Sequence, residues 1–374
     1  MGRDTSEFDQ KKIRYFGLHS KLLNNQKIID QKKIFVLRNN DLGDVLVTTP
    51  LLAGLRISYP NCHIAIGVGD WAKPLLEHNP HLNELISCNA PWHNKQNCSF
   101  PANSPRTFLR GLSYILFSQQ ANNLKKKRFT HGIDVLGSRQ GAWLMLRAGI
   151  KSRFGVKGYA GGDRWCEQFV NFDENRHVAK AATAFLPLLG ADQTVESRPQ
   201  IFLTNKEKED ARRLWGAKSS TCKRIVIAPG GGFPEKCWGN ERFTELTRLL
   251  LQEEKYQICI LGSQEDRDRI KTHSSFDSKR IQNFCGSLDL RKSAALVSEA
   301  DFVFTNSSLS MHLAGAFQVP SITLLGECYD SAKLHEKQWG YIEGDILGKE
   351  TIIGKNRTAS VNEAHACFVN LLHN

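Results

Sequence analysis

At 374 residues the chain is too long for one ordinary core, and two domains of roughly 170–200 residues are the expected division. A composition of 41% hydrophobic and 24% charged residues, with no apolar run of about 18 residues and a polar, charged Met1–Lys11, excludes the spanning and secreted classes and makes a cytoplasmic location the expectation. Fifty basic against 38 acidic residues give a net charge of +12, which leaves nucleic acid, anionic lipid and phosphorylated substrates open as partners, because charge bears on partners and not on fold.

Residues 1–32 form a basic extension whose few sizeable apolar groups include Ile13, Phe16, Leu22, Leu23, Ile28 and Ile29. An amphipathic helix on a membrane surface and a frayed terminus both fit it. The first strong element is Lys33–Leu37 (KIFVL), a β-branched and aromatic run suited to a central strand. A polar turn, Arg38–Gly43, leads to Asp44, after which Val45, Leu46, Leu51, Leu52 and Leu55 recur at helical spacing. Pro50 must kink that helix or open it with Thr49 as cap. Cys62–Val68 is the next strand, completing a βαβ unit. Asp44 has two readings: a structural N-cap, or a carboxylate at the carboxyl end of the first strand, where open α/β sheets bind ligands and where it can take a proton from a hydroxyl. Asp41 is its rival.

From Ser87 to Arg128 the pattern is less regular, with Pro91, Pro101, Pro105 and a basic cluster Lys125–Arg128 that is either a solvated face or a contact for an anionic acceptor. Ile133–Leu136 reads as a strand, Ala142–Ala148 as a helix and Lys151–Phe154 as the approach to another strand. Arg139, Arg147, Lys151, Arg153 and Lys157 add positive charge here. His177–Leu189 reads as a helix closing this half.

A charged stretch at 204–220 reads as linker plus helix, and Arg224–Ala228 as a new strand. Gly230, Gly231 and Gly232 follow, lacking a Cβ to keep a ligand away from the backbone, with Lys236 before a helix carrying Phe243, Leu246, Leu249 and Leu250. Gln257–Gly262 and Ile281–Phe284 are strands and Leu288–Ser298 a helix. Phe302–Phe304, the turn Thr305–Ser308, a helix with Met311, His312, Leu313 and Ala316, and the strand Ile322–Leu325 repeat the βαβ rhythm. The turn of Asn306, Ser307 and Ser308 exposes helical N–H groups that suit a phosphate; ordinary capping is the alternative. Residues 327–359 show no assignable pattern, and Val361–Leu372 is a last amphipathic helix. The ten cysteines form neither a CxxC pair nor a Cys/His cluster at zinc spacing, so reduced thiols, no metal and no cofactor are expected.

Four segments, VLRNNDLGDVLVTTPLL (36–52), GIDVLGSRQGAWLMLRAGIKSRFG (132–155), IAPGGGFPEKCWGNERFTEL (227–246) and FVFTNSSLSMHLAGAF (302–317), together resemble glycosyltransferase family 9, the bacterial heptosyltransferases of lipopolysaccharide core assembly. The resemblance implies a GT-B-like α/β fold of two doubly wound, Rossmann-like domains facing across a cleft. Residues 33–204 would take the acceptor and 205–374 the nucleotide-sugar, with the final helix free to pack back on the first domain. It further implies inverting, metal-independent transfer of a heptose from ADP-heptose to an anionic glycolipid acceptor at the inner face of a membrane, with no nucleic acid. The family's base falls on Asp44 and its diphosphate lysine on Lys236, with Trp238 also matching. Gly230, Gly231, Gly232, Asn306, Ser307, Ser308, Met311 and His312 complete the implied donor set, and Asp41, Arg139 and Arg153 the acceptor set. The fourth segment departs from the family's Asn-Asp-Ser/Thr-Gly-x-x-His: Ser307 replaces the Asp and Leu309 the Gly. Two alternatives therefore stand beside the implied activity, a transferase of the same fold using another nucleotide-sugar and a non-enzymatic binding protein.

Overall fold

A computed structural model describes residues 32–101, 104–191, 195–218, 221–270, 280–329, 331–341, 350–353 and 359–373. The expected extension at 1–32 lies, but for Lys32, outside the described residues.

Strands β1 (Lys33–Leu37), β2 (His63–Val68), β3 (Glu84–Ser87), β4 (His131–Asp134), β5 (Ser152–Lys157) and β6 (Gln168–Asn171) form one parallel sheet in the order β3-β2-β1-β4-β5-β6. β7 (Lys223–Ala228), β8 (Tyr256–Ile260), β9 (Ile281–Asn283), β10 (Phe302–Thr305), β11 (Ser321–Leu324) and β12 (Glu350–Ile353) form a second in the order β12-β11-β10-β7-β8-β9. Both are the doubly wound arrangement expected, with each strand order reversing beside its first strand. The helices of the first half are α1 (Leu42–Leu46), α2 (Thr49–Ser58), α3 (Pro105–Phe117), α4 (Gln119–Lys126), α5 (Arg139–Arg147) and α6 (Val178–Thr183). Those of the second are α7 (Asn205–Trp215), α8 (Asn240–Leu250), α9 (Leu290–Ser298), α10 (Leu309–Phe317), α11 (Ala332–Trp339) and α12 (Val361–His373).

Because side chains alternate along a strand, each sheet buries two faces. Ile34 and Val36 of β1 share one continuous apolar cluster with Val226 of β7 and Val303 of β10, filled in by α2, α7, α9 and α10; it joins the two halves. Phe35 and Leu37 face the other way, under α3, α4 and α5. Ile225, Ile227, Phe302 and Phe304 form the far side of the second sheet.

Several expectations are corrected. The helix expected after Asp44 is two, α1 and α2, with Thr48 rather than Thr49 at the cap and Pro50 in the first turn. His177–Leu189 likewise divides at Pro187 into α6 and a 3-10 turn. The final helix does not return to the first domain: Val361, Ala364 and Phe368 recur at helical spacing on its buried face, and Phe368 packs on Phe302 (4.7 Å between ring centroids) and Tyr256 (5.5 Å) of the second sheet.

Arg291 of α9 clamps the halves together. Its guanidinium holds Glu207 of α7 and donates to the carbonyls of Phe202 (2.7 Å) and Pro74 (2.8 Å), both in the first half. The Arg291 hydrogen bonds, helped by Thr204 and opposed by burial, bring the Glu207 carboxyl down from its ordinary 4.5 to about 2. A lowered acid pKa stabilises the fold above the unfolded value, so this contribution is full above pH 4.5 and disappears as pH falls towards 2. Arg291→Met removes these charge-assisted hydrogen bonds and leaves the half-buried Glu207 carboxylate without its partner, and we expect it to cost about 1–3 kcal/mol, seen as an earlier urea midpoint and a flatter stability profile between pH 5 and 2. An unchanged midpoint would remove the clamp.

Candidate active site

The strand orders reverse between β1 and β4 in one sheet and between β7 and β10 in the other, and the loops leaving β1, β7 and β10 meet at these two points. The turn after β1 folds back on itself. Arg38 donates from Nη2 to Oδ1 of Asp44 at 2.9 Å and from Nε to the Asp44 carbonyl at 3.3 Å, fixing the carboxylate's orientation. Among the described residues nothing donates to its Oδ2.

Asp44 stands in the wall between two cavities. One, of about 460 Å3, is lined largely by the first half, including Arg38, Tyr159, Phe172 and Arg176. The other, of about 520 Å3, has Asp41, Gly43 and Lys95 on one side and Gly232, Lys236 and Ser308 on the other. Asp44, Gln338 and Trp339 border both. Asp44, Lys236, Ser307, Ser308 and His312, assembled from sequence positions far apart, thus surround one space.

On the second side the buried Asn306 organises the glycine turn. Its Oδ1 accepts from the Trp238 amide at 2.9 Å and its Nδ2 donates to the Pro229 carbonyl at 2.6 Å. Ser308 precedes α10 without capping it through its side chain, lying instead 3.2 Å from the Thr305 hydroxyl. The first amides of α10 therefore meet the cavity, where the dipole's positive end favours an anion. Lys95 and Lys236, one from each half, sit over the Phe233 ring with Nζ at 4.2 and 5.6 Å from its centroid. The Lys95 ammonium is 4.0 Å from Asp41; among the described residues Lys236 has no carboxylate partner.

The histidines contribute no charge near pH 7. Burial, with His177 and His335 nearby, lowers His312 to about 3, and burial with Lys236 nearby lowers His335 to about 4. His312 hydrogen-bonds Tyr341 through Nδ1 at 2.6 Å, and its ring lies against Gly43; a Cβ at 43 would stand 2.9 Å from His312 Cδ2. The glycine is what lets the halves approach. His335 Nε2 lies 2.8 Å from the Ser307 hydroxyl, which Tyr329 also engages. The position where the resembled family carries a carboxylate is here a neutral hydroxyl tied to a neutral imidazole.

Other candidates are placed differently from expectation. Gly230 and Gly231 are packed against protein, where a Cβ would meet Asp266 Oδ2 at 2.4 Å and Cys237 Sγ at 2.8 Å; only Gly232 lines the cavity. Asn306 is consumed by the turn it holds, and Met311 is fully buried on the inner face of α10. Asp41, expected on the acceptor side, lines the cavity shared with Lys236 and accepts from the Lys95 amide at 3.0 Å. Arg139 lines a third cavity, joined to the first by Tyr159. Arg153 lines none of these: it is bound to Glu167 (2.5 Å) and to the Trp165 carbonyl (2.8 Å).

Four groups at the site were not read from the sequence. Arg38 was seen as turn, Lys95 lay in a proline-punctuated stretch, and His335 and Trp339 belong to α11, inside the unassigned segment. The one signal for α11 is its frame, Ser331 as cap accepting from the Leu334 amide and Gly340 at its end.

Residues 118–332 match the profile of Glycosyltransferase family 9 (heptosyltransferase). Lipopolysaccharide heptosyltransferase 2 of Salmonella typhimurium is 25% identical over 315 residues, covering 79% of this chain and 82% of the relative. Lipopolysaccharide heptosyltransferase 3 of Escherichia coli is 22% identical over 294 residues, covering 76% and 79%. Among solved structures, a family 9 glycosyl transferase from Veillonella parvula superposes with a TM-score of 0.72 at 20% identity, covering 92% of this chain and 98% of that one. ADP-heptose lipopolysaccharide heptosyltransferase II of E. coli gives 0.67 at 21% identity, covering 91% and 99%. An E. coli heptosyltransferase solved with ADP-2-deoxy-2-fluoro heptose gives 0.65 at 15% identity, covering 90% and 99%.

Proposed function

The chain belongs to glycosyltransferase family 9, the heptosyltransferase family, and from that premise we propose that it transfers a heptose from ADP-heptose to an anionic lipopolysaccharide-core acceptor, with inversion and without a metal. The observation that carries this reading is the position of Asp44, held by Arg38 in the wall between a first-half cavity and one faced by Lys236 and the start of α10.

In this mechanism residues 33–204 form the acceptor domain and 205–374 the donor domain. The acceptor occupies the cavity with Tyr159, Phe172 and Arg176, the donor diphosphate the one with Lys236. A sugar hydroxyl is a poor nucleophile near neutrality, so Oδ2 of Asp44 takes its proton as the oxygen bonds to the anomeric carbon. The bond from that carbon to the diphosphate breaks on the opposite face through an oxocarbenium-like state, and the electron pair leaves with ADP. Lys236, Lys95 and the α10 amides stabilise the departing charge, the role a metal would otherwise fill. The solved relatives, an ADP-heptose heptosyltransferase and one holding ADP-2-deoxy-2-fluoro heptose, support the donor, and the lipopolysaccharide heptosyltransferases among the curated relatives support the acceptor. The lipid-borne acceptor puts the protein in the cytoplasm, peripherally at the inner membrane.

Calorimetric titration with a panel of ADP-, UDP- and GDP-sugars tests the donor. ADP-heptose is expected to bind at least about tenfold tighter than the others, a gap of about 1.4 kcal/mol. The neutral Ser307–His335 pair is the specific observation favouring another nucleotide-sugar, and tighter binding of a different sugar would decide for that second reading.

A further inference from the structure

Between Pro105 and Trp165 the chain carries twelve Lys and Arg against two Asp, a local excess of ten in a protein whose net charge is +12. This segment supplies α3, α4 and α5, which cover the same face of the first sheet: Ile115, Ala121, Leu124, Leu144 and Met145 share one apolar cluster beneath them. Their outward surface is not simply charged. In α3, Thr107, Gly111 and Ile115 make the buried stripe, and at 100° per residue Arg106, Leu109 and Leu116 fall opposite it, with Arg110 and Phe117 at its margin. Phe117 is 76% exposed and Leu109 61%. The apolar surface continues sideways, because Phe108 meets Trp143 of α5 at 6.0 Å and Trp143 meets the exposed Trp165 at 5.7 Å. Exposed Lys125, Lys126, Arg139 and Arg164 lie around it.

A solvated helix face has no use for two aliphatic groups and a phenyl ring standing among arginines, whereas apolar groups with a basic surround are what a helical layer needs to sit in the headgroup region of an anionic bilayer. We propose that the outer face of α3, α4 and α5 docks on an anionic lipid surface, with Leu109, Leu116 and Phe117 entering the acyl boundary and Arg106 and Arg110 pairing with lipid phosphates. Charge complementarity selects this occupant: a second copy would bring the same excess of ten against itself. The proposal rests on the lipid-borne acceptor proposed above and gives it an approach. Tyr159 borders both the acceptor cavity and the cavity with Arg139, Trp143, Arg164 and Trp165 at the edge of the layer.

The test is flotation of the full chain with phosphatidylglycerol–phosphatidylethanolamine vesicles against phosphatidylcholine vesicles, neither containing acceptor. Wild type is expected on the anionic vesicles, released by salt. The double variants Leu109→Ser/Phe117→Ser and Arg106→Gln/Arg110→Gln are each expected to bind about tenfold or more weakly. Both should retain thermal stability and turnover on a delipidated, water-soluble acceptor, since none of the four side chains lines the active-site cavities. Equal binding of wild type to both vesicle types, or variants that bind as wild type does, would overturn the proposal. So would a wild-type dimer in sedimentation that Leu109→Ser/Phe117→Ser makes monomeric, which would give the face to a second copy. Vesicle binding without turnover would count against the transferase reading alone.

Discussion

Asp44→Asn is expected to lower turnover by about 10²–10⁴-fold while leaving nucleotide-sugar affinity nearly unchanged. The asparagine keeps the shape of the carboxylate and, through its oxygen, the hydrogen bond from Arg38. What it loses is the capacity of Oδ2 to accept a proton from the attacking hydroxyl. Because that transfer occurs as the new bond forms, the effect belongs in kcat, with the donor complex spared. Asp41→Asn is the control: Asp41 borders the second cavity but not the first and is occupied by the Lys95 amide, so its loss should cost a few-fold at most. Initial rates with calorimetry on both variants decide the matter. A fully active Asp44→Asn, or an Asp41→Asn equally inactive, would move the base elsewhere.

The parts of this architecture that announced themselves in the sequence are those whose burial is complete. After their charged first residues, Ile34–Leu37 and Ile225–Ala228 are apolar runs covered on both faces, so each of those positions had to be apolar and the strand was readable from type alone. The dense prolines around 91–105 hid α3, although Ser104 caps it through the Thr107 amide and Pro105 opens it as a first-turn proline should. Helix α11 buries only Ala332 and His335, too little for a stripe, and the His on that face looked polar. Site residues divide the same way. Asp44 and Lys236, which the structure brings to one cavity, were legible because each follows a local turn at a strand end. Lys95 and His335 reach the cavity only when the halves have packed, and nothing local in either segment records that meeting. The converse has one cause as well: Gly230, Gly231, Asn306 and Met311 sit in or beside the turns that border the cavity, but folding uses them to build the wall rather than to face the space.

Lys236→Ala is expected to lower kcat/KM by about 10²–10³-fold, the scale of removing one preorganised donor from a developing anion, or about 2.7–4 kcal/mol. The other groups at the site cannot replace it. His312 and His335 are held neutral by burial to about pH 3 and 4, so neither becomes a cation in the working range. Lys95 is near enough to share the Phe233 ring but lies 4.0 Å from Asp41, which offsets part of its charge. Lys95→Ala should therefore cost less than Lys236→Ala, and the double variant should depart from the product of the two if both lysines meet the same diphosphate. Should the loss appear only in KM, the lysine holds donor and transition state alike; a fall in kcat places its effect on the leaving group. Adding a chelator to wild type completes the comparison: if the lysines and the α10 amides carry the departing charge, the rate is unchanged, whereas a rate abolished by chelation and restored by a divalent cation would assign that charge to a metal and reduce Lys236 to a binding group.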